Sequence, residues 1–172
     1  MAGIFPGMAY LGDAGQFVDR IFAIIERIQL FEDFEHDEIV ALARYMRCYR
    51  ARAGGEIIRE GDEGDFMLLI VSGQCEIVKR DPMGEPKRIG LAGPGKTLGE
   101  MSMIDGQPRF ATCIALEETV FAVLDRDQLS RIIADQPRLG IKILMELVLV
   151  LSQRLRVTSN KLVKHLDAEP EA

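Results

Sequence analysis

Between Leu98 and Thr112 the chain reads Leu-Gly-Glu-Met-Ser-Met-Ile-Asp-Gly-Gln-Pro-Arg-Phe-Ala-Thr. These residue types suit an anion. Gly99 has no Cβ, so backbone can approach a ligand closely there. Glu100–Ile104 is long enough for one helical turn, whose leading N–H groups have no partner within the helix and form an anion site. Asp105-Gly106 reverses the chain, Pro108 stiffens it, and Arg109 returns toward the turn. A guanidinium beside bare amide donors can grip a phosphate with two parallel hydrogen bonds. At about 4 Å and an effective dielectric near 20, that attraction is worth about 4 kcal/mol. Glu100 repels a phosphate but accepts from a hydroxyl. The pair therefore predicts a nucleotide whose compact anion lies next to a sugar hydroxyl.

Elements must hold this segment in place, and the period of the apolar residues changes twice along the chain. Residues 1–16 are glycine-rich and read as a loose N-terminal segment. Residues 17–48 read as helices. Ile21, Ile24, Ile25 and Ile28 share one face, and Asp37 is placed to cap a second helix carrying Ile39, Leu42, Ala43 and Met46. Residues 49–126 change character: glycines recur between short β-type runs at Glu56–Arg59, Phe66–Ser72, Gln74–Lys79, Arg88–Ala92, Ala111–Ala115 and Thr119–Leu124. Ser72-Gly73 and Asp81-Pro-Met-Gly84 are turn signals between them. Such spacing predicts a sandwich, jelly roll or barrel. Residues 127–166 return to the helical period, with Asp127 as a cap for a short helix and Pro137 opening a long one. In the long helix Ile141, Leu144, Val148, Leu151, Leu155, Thr158, Leu162 and His165 follow alternating steps of three and four, about three and a half heptads. That stripe either pairs with a second copy, which is the reading taken here, or folds back on its own domain. Residues 167–172 form an acidic tail.

Composition narrows the function. With 21 basic against 27 acidic residues the net charge is −6, a poor basis for nucleic-acid binding driven by phosphate neutralisation. The most apolar stretch, Ile141–Leu151, is broken by Lys142 and Glu146, and the N-terminus lacks the pattern of a secretory signal. Neither a membrane span nor export is expected, and the location read from the chain is cytoplasmic. Cys48, Cys75 and Cys113 match no metal or disulfide spacing and read as small buried thiols. His36 and His165 are too far apart for a metal site, and no serine or cysteine has an evident histidine partner. No metal, no cofactor and no catalytic activity are expected.

The order of motifs resembles cyclic-nucleotide-binding domains of the catabolite-activator and protein-kinase-A regulatory-subunit type. Their phosphate-binding cassette is similar to Leu98-Gly99-Glu100-Met101-Ser102-Met103 followed by Pro108-Arg109-Phe110-Ala111-Thr112. Upstream, Gly55-Glu56-Ile57-Ile58, Gly61-Asp62, Gly64-Asp65 and Leu69-Ile70 with Ser72-Gly73 match the family's β-roll glycines. The resemblance covers about Leu30 to Ile133, and the helix after Pro137 is similar to the family's C-terminal helix. It implies an α+β fold in which an antiparallel, jelly-roll-like β-roll of about eight strands is flanked by N-terminal helices and a long C-terminal helix. It implies that Gly99, Glu100, Met101 and Ser102 line the cyclic phosphate and ribose, with Glu100 on the 2′-hydroxyl. Arg109 neutralises the exocyclic oxygens, and Phe110 and Ala111 complete the ligand-binding set. Phe110 departs from the small residue usual after the arginine. Its ring either stacks on the purine or fills the pocket, so residue types leave cAMP, cGMP and no ligand all open.

The expected function is a cAMP or cGMP sensor that moves its C-terminal helix against an effector protein or a second subunit, pairing through Ile141, Leu144, Val148, Leu151, Leu155 and Leu162. Two alternatives stand beside it. One is a ligand-free interaction module on the same fold. The other, more remote, is a P-loop NTPase, because Gly90-Leu-Ala-Gly-Pro-Gly95-Lys96-Thr97 satisfies the phosphate-loop expression. Glycines and Pro108 after Thr97 deny that motif its long helix. The chain stops at Ala172 after the long helix, so no recognition helix for DNA is expected.

Overall fold

Alternation in the run Phe66–Ser72 sets the architecture. Leu68 and Ile70 point to one side, Met67, Leu69 and Val71 to the other, and all five are buried. A strand with two apolar faces must lie between two layers. In the structure, a computed structural model describing residues 5–25 and 34–166 (without the side chains of Ile25, His165 and Leu166), those layers are helices on one side and a second sheet on the other.

The described strands are β1 Ala9–Asp13, β2 Arg47–Ala51, β3 Glu56–Ile58, β4 Phe66–Ser72, β5 Cys75–Arg80, β6 Pro86–Ala92, β7 Thr97–Leu98, β8 Thr112–Ala115 and β9 Thr119–Asp125. One sheet runs β1-β2-β9-β4-β7 and the other β3-β8-β5-β6, antiparallel throughout. The expected β-roll is present, with nine strands among the described residues where about eight were anticipated. The helices are α1 Val18–Ile25, α2 His36–Ala43, α3 Glu100–Asp105, α4 Arg126–Asp135 and α5 Pro137–Leu166. Leu68, Ile70, Phe121 and Val123 pack between the sheets with Ile57, Cys75 and Cys113. Met67, Leu69, Val71, Ala122 and Leu124 pack against Ile21, Ile39, Leu129, Ile132, Leu139, Ile143 and Leu147 from the helices.

Several expectations are corrected. Residues 1–16 are not loose where they are described. Ala9–Asp13 pairs with β2, and Phe5 is buried with its ring 4.8 Å from that of Tyr49, 5.0 Å from Phe66 and 5.2 Å from Phe121. The strand exists because a sheet edge waits for it, a contact that local pattern does not contain. The helical region ends early, for Arg47 and Cys48 already belong to β2. α2 is capped by a reciprocal box between Glu35 and Glu38, not by Asp37. Asp125, not Asp127, caps α4 by accepting from the Gln128 amide at 2.8 Å. Ile28 and the tail 167–172 lie outside the described residues.

The phosphate-loop expression falls on the turn between β6 and β7. The Gly95 amide donates to the Ile70 carbonyl and the Lys96 amide to the Gly93 carbonyl, so these donors close a turn. A two-residue strand and a six-residue helix follow, in an antiparallel sheet. The parallel strand–loop–helix unit that gives the expression meaning is not there. All three cysteines are free and buried, and burial pushes the Cys48, Cys75 and Cys113 thiols up to about 12, 11 and 12. Among the described residues no helix is long and apolar enough to cross a membrane, and no group of three or more His, Cys, Asp or Glu could hold a metal ion.

α5 carries two apolar stripes. Leu139, Ile143, Leu147 and Val150 are buried on the chain's own core. Ile141, Leu144, Val148, Leu155 and Leu162 are exposed, Leu155 by 68 %. The stripe that covers the domain is offset by about one helical step from the stripe read in the sequence as the seam.

Candidate functional site

β7 turns into α3 at Gly99, which sits in the left-handed region with φ 81°. Space also demands glycine here. A Cβ would stand 2.6 Å from Arg109 Nη1 and 3.0 Å from the Phe66 carbonyl oxygen. α3 closes with the Met103 amide donating to Gly99 O and the Gly106 amide to Ser102 O. Its first amides, from Glu100 on, face forward without partners in the helix ladder.

Arg109 is only 4 % exposed. Nη1 donates to the carbonyls of Phe66 and Gly99, both at 2.8 Å, and the guanidinium carbon lies 4.1 Å from the centre of the Phe66 ring. Nη2 is buried without a hydrogen-bond partner. Burial lowers the arginine below its ordinary value, opposed first by the charge of Asp65. The loop before β4 builds this berth. The Arg109 amide donates to Asp62 O, the Gly61 amide to Arg109 O, and a Cβ on Gly64 would meet Arg109 Nε at 2.6 Å. Gly61 and Gly64 of the sequence motif thus serve one arginine far along the chain. Arg109 does not form the surface ion pair with Asp105 that a lone arginine would favour; carbonyls hold it in the interior.

Among the described residues Glu100 is the most deeply buried charged group, 1 % exposed. Its Oε1 accepts from Arg154 Nη1, and Arg154 Nη2 donates to the Thr97 carbonyl. Oε2 is buried without a partner. Burial pushes the Glu100 carboxyl up, while Arg154 and then Arg109 pull it down. A carboxylate oxygen and a guanidinium nitrogen, each buried and unsatisfied, therefore sit at one end of α3. Unsatisfied buried polar atoms are costly and mark places where a ligand can complete the network.

Of the seven expected site residues, the fold buries Glu100, Ser102, Arg109 and Ala111, with half-buried Gly99 against the Arg109 guanidinium. Met101 and Phe110 stand at the surface. Phe110 is 53 % exposed, with Lys79 Nζ 4.6 Å from its ring centre. It does not fill the hollow behind Gly99, which Arg109 and Ile58 occupy. Arg154 was absent from the sequence-derived set. Its partner is 54 residues away, and no local spacing links an arginine on one side of a helical stripe to a carboxylate in a turn. An apolar cavity lies elsewhere, between sheet and helices, bounded by Ile21, Leu42, Met46, Met67, Thr97 and Ile143. It offers no cation to an anion.

Residues 49–136 match the family described as the cyclic nucleotide-binding domain. The chain is 33 % identical over 139 residues to the CRP-like cAMP-activated global transcriptional regulator of Mycobacterium tuberculosis, covering 81 % of this chain and 60 % of the relative. It is 25 % identical to the cAMP-dependent protein kinase regulatory subunit of Yarrowia lipolytica, covering 78 % of this chain and 34 % of that protein. A cyclic nucleotide-binding domain from Methylobacillus flagellatus superimposes with a TM-score of 0.87 at 38 % identity, over 98 % of this chain and 94 % of the other. The chain thus spans 60 % and 34 % of the two regulators, less than two thirds of either, and 94 % of the solved domain.

Proposed function

Because the chain belongs to the cyclic nucleotide-binding domain family, a family of binding regulators and not of catalysts, we propose that it senses a cyclic nucleotide, cAMP before cGMP. Arg109 takes the exocyclic phosphate oxygens, the amides leading α3 take the remaining charge, and Glu100 accepts from the ribose 2′-hydroxyl. Met101, Ser102, Phe110 and Ala111 wall the ligand. The observation that carries this reading is the pair of unsatisfied buried atoms, Arg109 Nη2 and Glu100 Oε2, at one end of α3. One lacks an acceptor and the other lacks a donor, and a cyclic phosphodiester beside a ribose hydroxyl supplies both. The preference for cAMP rests on the relatives named for it.

We take residues 49–126 as the sensing body and residues 127–166 as the output, with a cytoplasmic effector protein or a second copy as the recipient. The exposed stripe Ile141, Leu144, Val148, Leu155 and Leu162, together with half-buried Leu151, suits a homodimer. A second reading, an interaction module without ligand, is favoured by Arg154 already occupying Glu100 Oε1. Calorimetry with cAMP, cGMP and cyclic di-GMP separates the two. Heat with cAMP is the expected result; no heat with any of the three leaves the module.

A further inference from the structure

Arg109 holds the front of the cassette helix, and a second arginine holds its back. Arg126, the first residue of α4, donates from Nε to the Met103 carbonyl at 2.8 Å and from Nη2 to the Ser102 carbonyl at 3.2 Å. Met103 O lies in the last turn of α3, where no amide of the helix can reach it. A cation at that end also complements the helix dipole. α3 has only six residues and cannot hold itself together. It is bounded by Gly99 at φ 81° and Gly106 at φ 71°. The residues around Arg126 tie it to the roll and to the helices that follow. Its own amide donates to the Asp65 carbonyl at 2.8 Å, Asp125 caps the next turn, and α4 packs on α5 so closely that a Cβ on Gly140 would meet Ile133 Cγ1 at 2.7 Å.

Resting on the nucleotide-binding reading above, we infer that Arg126 is the positioning residue that couples the occupied site to the output helices. α3 cannot tilt toward a ligand at its front without carrying the guanidinium of α4 along or breaking two hydrogen bonds. A ligand that favours one tilt of α3 therefore favours the α4 orientation that fits it, and the coupling runs equally in both directions. Met103, in the same apolar cluster as Leu129 and Ile132, packs between these elements but gives no fixed registry along the helix axis. The fork on two carbonyls does.

Hydrogen exchange of the full chain, with and without cAMP, tests this on wild type, Arg126→Met and Arg126→Lys. The methionine keeps the packed stem and loses every donor; the lysine keeps a donor. In all three, cAMP is expected to protect residues 99–106. In wild type it also changes exchange across residues 129–147; that distant change is lost in Arg126→Met and partly kept in Arg126→Lys. Calorimetry supplies the sign. Uncoupling spares the ligand the work of moving α4, so Arg126→Met should bind cAMP as tightly as wild type or tighter, by at most the coupling factor of about 5–150-fold. A structural role alone would weaken binding instead. Weaker binding by Arg126→Met, or a distant response as large as in wild type, overturns the inference. Wild type without protection at residues 99–106 removes the nucleotide reading itself, and the coupling with it.

Discussion

The cassette end of the roll and the outward face of α5 break the burial rule in opposite senses. Around α3 the fold buries charge: Glu100 and Arg109 lie in the interior, each with an atom left unsatisfied. Along α5 it exposes apolar surface, with Ile141, Val148, Leu155 and Leu162 in one stripe facing outward. Scattered exposed apolar residues are ordinary, but a contiguous stripe is not, and neither is a buried charged group with an unsatisfied atom. Under the proposed function what each would take differs in kind: the first a small polar ligand, the second a large apolar partner. A domain that receives a signal at one place and emits it at another should look like this.

The largest expected effect falls on the buried charges. Arg109→Ala should lose about 2–4 kcal/mol of cAMP affinity, because it strands a phosphate charge. Calorimetry that finds the affinity unchanged would put the ligand elsewhere and dissolve the contrast. Next comes the stripe. Replacing Val148 and Leu155 together by serine removes about 1.5–3 kcal/mol of burial per residue and copy. Light scattering should then find a dimer in wild type and a monomer in the double variant. A monomeric wild type would leave the exposed stripe without an occupant.

A third test sharpens the cassette side through pH. Burial raises the Glu100 carboxyl above its unfolded value, so the native state holds its proton more tightly than the unfolded chain does. That contribution is complete at low pH and is lost as pH rises from the unfolded value through the raised one. The stability of wild type relative to Glu100→Gln should therefore fall as pH rises through that window, as read by urea unfolding at stepped pH. A difference that grows with pH would mean that Arg154 outweighs burial. The smallest effect belongs to Phe110. If its exposed ring meets the base, Phe110→Ala should cost about 1 kcal/mol of cAMP affinity, with no change in melting temperature. A gain in affinity would mark the ring as an obstacle.

Much of this was legible in the chain. The two periods, the turn glycines and the run from Leu98 to Thr112 located the roll, the long helix and the cassette, since each is a short-range pattern and local sterics enforce it. The six β-type runs recur as strands with ends moved by one or two residues. β1, β2 and β7 have no counterpart among those runs, because each is at most five residues long and owes its pairing to strands far away in the chain. Within the site, Gly99, Glu100 and Arg109 were readable as a set because one turn contains them. Arg154 and Arg126 were not, for their partners lie 54 and 23–24 residues away.

By itself the sequence determined which groups are available: one guanidinium, one carboxylate and a glycine turn within a dozen residues, and a helix apolar on more than one side. Folding decided which of them are dry. It buried Glu100 and Arg109, turned Phe110 outward, and chose which stripe of α5 faces home. Burial is a property of what packs around a side chain, and that is set by segments far away along the chain. Residue types can announce chemistry, whereas the desolvation that gives chemistry its strength exists only once distant layers close over it.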